Sequence, residues 1–156
     1  MANAYLKAVT IGVIAGMRSF SAPALVSDHF VHENLPEIAN SNLSFMALPK
    51  TAFILKIMAA GELLADKSTF IPNRTDPGPL AFRAVSGAVC GAAFCTAENK
   101  RADLGAIVGG LAAVLSAHAF FLLRRKLTEE TSLPDTVIAL AEDSVALSVG
   151  AFVLRV

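Results

Sequence analysis

Leu104-Gly-Ala-Ile-Val-Gly-Gly-Leu-Ala-Ala-Val-Leu-Ser-Ala-His-Ala-Phe-Phe-Leu-Leu123 is the stretch that decides the fold. Ser116 and His118 are its only polar interruptions, and Arg124-Arg125-Lys126 follows at once. At a rise of about 1.5 Å per residue, such a run spans the roughly 30 Å of a bilayer's hydrocarbon core. The basic cluster behind it has the character of a stop at the headgroups.

Four further segments have the same character. Segment one covers residues 3–26, segment two 49–66, segment three 80–96 and segment five 134–156, with 104–123 as segment four. Across all 156 residues, 54% are hydrophobic and 17% charged, with a mean hydropathy of +0.59. A water-soluble domain carries nearer a quarter charged residues, and one this short leaves about a third of its surface exposed. The expected fold is therefore all-α: a polytopic membrane helix bundle with about five transmembrane helices forming a single integral membrane domain over residues 1–156.

Lys7 and the apolar run behind it have some features of a signal peptide, but Arg18 interrupts the run and Pro23 is poorly placed for cleavage. Segment one is read as a retained helix that Pro23 kinks or ends. The polar stretch 27–48 is expected as a connection lying partly on the membrane surface. Residues 72–79, rich in proline, glycine and asparagine, are not regular helix. With five crossings, the Arg124-Arg125-Lys126 cluster shares a side with the N-terminus, which places the N-terminus in the cytoplasm and the C-terminus outside.

Three segments carry glycines four residues apart: Gly12 and Gly16, Gly87 and Gly91, Gly105 and Gly109. Each pair makes a smooth groove on one helix face, and lipid-embedded helices associate through such close approach. The grooves serve packing within one bundle or, alternatively, a homodimer or higher homo-oligomer.

Six charges lie in or near the apolar spans: Arg18, Glu62, Asp66, Arg83, Glu142 and Asp143. At roughly 2.5 kcal/mol each, leaving all six bare at the bilayer centre costs on the order of 15 kcal/mol. They are expected to gather as an intramembrane polar cluster, with Arg18 and Arg83 as partners of the carboxylates and Asn73 and Arg74 at one mouth. Glu142 and Asp143 are neighbours and point different ways. Three roles follow. The leading one is a transporter or channel-like site for a cation or small polar solute. The second is a structural or assembly protein whose cluster only fixes helix register. The third is a metal-dependent lipid-phosphate enzyme with carboxylate ligands and Arg74 or Arg83 on the phosphate.

No catalytic spacing supports the enzyme. Ser19 and Ser144 lack a matching His/Asp set, and no phosphate-binding glycine loop is present. The cofactor is open, a cation being the one candidate. His29 and His32 have a spacing compatible with a metal, but their polar surroundings favour solvation. His118 is expected to hydrogen-bond a neighbouring helix. Cys90 and Cys95 point apart on one helix and are read as small apolar residues. Zero net charge excludes a basic nucleic-acid footprint; the expected partners are membrane lipids and a small polar solute or cation.

In order along the chain, Gly16-Met17-Arg18-Ser19 with Pro23-Ala24, Gly61-Glu62 with Asp66-Lys67, Pro72-Asn73-Arg74-Thr75, Gly78-Pro79, Arg83 and Glu142-Asp143 resemble a family of small membrane proteins known as a domain of unknown function, number 4126. The resemblance implies a bacterial origin, a multi-pass location in the bacterial plasma (inner) membrane and recurring polar positions at these charges. It implies no activity, substrate or cofactor.

Overall fold

The computed structural model describes residues 4–65, 75–130 and 135–155. Seven α-helices and one 3-10 turn make up the regular structure, with no strand among the described residues. They are α1 (Ala4–Met17), α2 (Ser21–Glu33), α3 (Pro36–Ala39), α4 (Pro49–Ala65), α5 (Pro77–Ala97), α6 (Ala102–Glu130) and α7 (Asp135–Arg155). The 3-10 turn, Ser44–Ala47, precedes α4.

The centre of the bundle is a close triad of α1, α5 and α6. On α5 the buried residues Arg83, Ser86, Gly87, Cys90, Gly91 and Phe94 recur at helical spacing and form one stripe. On α6 the matching stripe is Gly105, Gly109, Ala113, Ser116 and Ala117. The two helices run antiparallel and so close that a Cβ on Gly91 would strike the carbonyl oxygen of Gly105, and one on Gly109 that of Gly87. A Cβ on Gly12 would meet the Gly109 carbonyl, and one on Gly16 the Ser116 hydroxyl. All three glycine pairs thus face helices of the same chain, and these grooves are filled from within. Ser116 Oγ ties the triad further by donating to the Val13 carbonyl at 2.8 Å.

The turn between α5 and α6 is short because Asn99 adopts the left-handed conformation, φ 53°. Its neighbour Lys100 returns its N–H to the Cys95 carbonyl at 2.7 Å, closing the helix end.

Segment one departs from the expected single helix. α1 ends at Met17 and α2 begins at Ser21, so the chain breaks at Arg18–Phe20, ahead of Pro23. Pro23 lies in the first turn of α2, where its missing N–H costs no helical hydrogen bond. α1 runs antiparallel to α5, with Ala4 and Ala8 packing on Cys95 and Gly16 near Arg83. α2 runs back alongside α5: Phe20 packs tilted against Phe82 with ring centroids 4.9 Å apart, and Phe30 against Phe94 at 5.4 Å. The two helices therefore form a hairpin whose tip is Arg18–Phe20. Measured along α5 from Cys95 to Arg83, the tip lies roughly 18 Å from the hairpin's base.

α4 runs antiparallel to α2, with Lys56 bonded to Asp28 at 2.6 Å and Glu62 at the hairpin tip. α7 places Asp143 at the tip and Leu154 beside Lys7 at the base. Lys7 and Leu154 thus share one end of the bundle, while Arg124–Lys126, near the C-terminal end of α6, lie at the other. The basic cluster and the N-terminal helix's start occupy opposite ends, not the shared side that the charge argument assumed.

Among the described residues, three helices are long and apolar enough to cross a membrane: Pro77–Ala97, Ala102–Glu130 and Val137–Leu154. α1 is apolar but, at 14 residues, rises only about 21 Å. Lipid exposure is written in the residue sizes. Much of the core is alanine, glycine, serine and cysteine, whereas Phe53, Ile57, Leu111, Leu115, Leu122 and Phe152 are exposed. That distribution suits a lipid-bathed bundle held by backbone approach. In water it would leave a large apolar surface uncovered.

Candidate functional site

Breaking a helix at depth frees backbone groups that lipid cannot satisfy. At the hairpin tip several of these groups have protein partners from other helices. The N–H of Arg18 still completes α1, donating to Ile14 at 2.8 Å. The next two, Ser19 N–H and Phe20 N–H, donate to the two carboxylate oxygens of Glu62 at 2.8 and 2.9 Å. The Ser19 carbonyl accepts from Ser86 Oγ at 2.7 Å, and the Gly16 carbonyl receives a longer contact, 3.5 Å, from Arg83. α2 has no side-chain cap of its own, and Glu62 supplies one from α4. A carboxylate there also answers the positive end of the α2 dipole.

Two arginines complete the layer. Arg83, 8% exposed, donates from Nε to Ser19 Oγ at 3.2 Å and stands 3.9 Å from Glu62. Arg18, 5% exposed, donates from Nε to Asp143 at 2.6 Å, with a second contact from its Nη2 to the same oxygen. Through this pair α7, otherwise lightly attached to α6, is fastened to the hairpin tip.

Of the six charges singled out from sequence, four meet here: Arg18, Glu62, Arg83 and Asp143. Glu142 points instead towards the α6–α7 groove, beside Phe120, Leu123 and Ile138. Asp66, Asn73 and Arg74 lie outside the described residues. Ser19 and Ser86 are members that sequence reasoning missed. Ser86 lies on one helical stripe with Arg83, three residues on, and that spacing was the available signal; Ser19, in the break itself, was marked only by its place next to Arg18.

The remaining candidates sit elsewhere. His118 is exposed and hydrogen-bonds Val114 of its own helix at 2.9 Å, not a neighbouring helix. A histidine facing outward on a helix finds its nearest acceptor one turn back. His32 bonds Asp28 of its own helix, and His29 lines a cavity at the hairpin's base. Among the described residues, no group of three or more His, Cys, Asp or Glu side chains could hold a metal ion. Cys90 and Cys95 are both free and buried.

A family model described as a domain of unknown function, DUF4126, matches residues 6–156. The chain belongs to that family. The match covers α2 to α7 entire and all but the first residues of α1. No curated protein and no solved structure gives a significant match. DUF4126 membership brings a shared fold without an assigned chemistry, so function has to be argued from the hairpin tip itself.

Proposed function

We propose that this DUF4126 protein is a small membrane transporter whose solute site is the tip of the α1–α2 hairpin. The observation that carries the reading is the seat of Glu62. Its carboxylate occupies a set of donors built for an anion: two consecutive backbone N–H groups at a helix start, with the buried Arg83 guanidinium behind them. Ionisable groups and unwound helix at membrane depth mark solute pathways in membrane carriers. The carboxylates expected to hold a cation are engaged by arginine and N–H groups. A small anion or carboxylate solute therefore fits this geometry better than a cation does. Protonation of Glu62 would remove its charge and vacate the donors, which couples solute entry to a proton.

The test is flux in proteoliposomes. Wild-type protein under an inward gradient of chloride, sulfate or aspartate should move one of them together with protons, read by a trapped pH dye. Glu62→Gln should uncouple the two, because an amide carries no titratable proton. Absence of flux for every solute would defeat the reading.

A second reading, a purely structural latch, is favoured by one observation: Glu62 and Asp143 both have short-range partners within the protein. On that reading Glu62→Gln lowers thermal stability and nothing else. Under either reading we propose a location in a bacterial plasma membrane, which the family resemblance supports.

A further inference from the structure

At the base of the hairpin, well away from its tip, α1, α2, α5 and α7 line an open cavity of about 290 Å³. Four ionisable side chains line it: Lys7, His29, Glu33 and Glu98. Lys7 and Glu98 pair across it at 3.4 Å, and their side chains are only 15% and 34% exposed. Glu33, by contrast, has no ion-pair partner among the described residues. Apolar lining comes from Phe30, Phe94 and Leu154, with the His29 ring beside the two phenylalanines. The function proposed for the tip uses none of these groups.

Each simple ligand class meets a repelling group here. A plain anion faces Glu33 and Glu98, and a plain cation faces Lys7. Burial draws the His29 pKa below its usual value, so near neutral pH the imidazole is uncharged and adds no second cation. We propose that this cavity binds a zwitterion: a primary ammonium and an anionic group a few bonds apart, joined to an apolar tail. The ammonium meets Glu33 and shares Glu98. The anionic group meets Lys7, with His29 as a neutral hydrogen-bond partner. The tail lies on Phe30, Phe94 and Leu154. The volume suits a ligand of amino-acid size. The same chemistry occurs in a free apolar amino acid and in the headgroup of an ethanolamine phospholipid. The cavity's position at the end of the bundle gives access to both.

The experiment has two arms, each on the full chain. In detergent, calorimetry measures binding of L-leucine, leucine methyl ester (ammonium only) and N-acetyl-leucine (carboxylate only). In nanodiscs, native mass spectrometry compares retention of phosphatidylethanolamine with that of phosphatidylcholine, whose quaternary nitrogen donates no hydrogen bond. Binding of leucine, with both blocked analogues at least tenfold weaker, identifies a free zwitterion. Preferential retention of phosphatidylethanolamine without leucine binding identifies the headgroup. Glu33 is exposed, so Glu33→Gln should fold normally and weaken whichever ligand binds by tenfold or more. Lys7→Met should weaken it similarly. Failure of both probes to bind, equal binding of the blocked analogues, or unchanged affinity in both variants would overturn the proposal.

Discussion

Replacing Asp143 with asparagine probes the contact that fastens α7 to the hairpin tip. Asp143 accepts from Arg18 Nε at 2.6 Å, and the two side chains are 14% and 6% exposed. Two unit charges about 4 Å apart attract by about 4 kcal/mol at an effective dielectric constant of 20. Desolvation offsets much of that when the intact pair forms. Removing one partner is different, because the remaining guanidinium stays buried with less countercharge, and such truncations cost about 3–5 kcal/mol. Asp143→Asn should therefore destabilise the protein by about 3 kcal/mol. Arg18→Met should cost a similar amount. The double variant, with neither charge left, should fall well short of the sum, since it leaves no buried charge without its countercharge. The assay is a double-mutant cycle of reversible denaturant unfolding in mixed micelles. Additive single effects, or singles within about 0.5 kcal/mol of wild type, would show that the pair is not the fastening the geometry describes.

Three other outcomes are expected. Gly91→Ala should destabilise by about 1–3 kcal/mol because its Cβ meets the Gly105 backbone, whereas Gly61→Ala, with open space around it on α4, should be neutral or stabilising by up to about 1 kcal/mol; thermal unfolding of both variants decides. Cysteines placed beside Lys7 and at Leu154 should react with a membrane-impermeant maleimide from the same side of intact cells, because α1 and α7 bring both to one end of the bundle. Finally, the folded protein holds His29 below the usual imidazole pKa through burial, with Lys7 and His32 adding to the effect and Glu33 and Asp28 opposing it; Glu98 also faces the ring's cavity. The unfolded chain thus takes up the proton first as pH falls. Stability should be full above about pH 6.5 and decline as pH drops towards the folded pKa, and His29→Gln should flatten that slope in unfolding curves measured from pH 7.5 to 5.

The two best-read elements show why hydropathy worked where it did. Segment three, 80–96, falls inside α5, and segment four, 104–123, inside α6. α6 continues to Glu130, where Arg125 and Lys126 pair with Glu129 and Glu130 one turn on. Hydropathy marks where lipid ends, not where helix ends, so this extension was invisible to it. The break in segment one was invisible for another reason. Nothing between Ala15 and Pro23 forbids a continuous helix; the interruption is sustained by Glu62, Arg83 and Ser86, all distant in sequence. The arginines and carboxylates could be named from the cost of burying charge, but their pairing could not. Pro23 was the one local hint, and it marks the beginning of a helix, not the end of one.

Because residue 7 and residue 154 sit at the same end, two copies of this chain joined head to tail by a short linker would insert with identical orientation. A bundle whose ends emerged on opposite faces could not be duplicated in tandem without either inverting the second copy or adding a helix to carry the chain back. The hairpin therefore makes the domain a unit that gene fusion can repeat, and a circular permutant opened at the far end is a reasonable design to build.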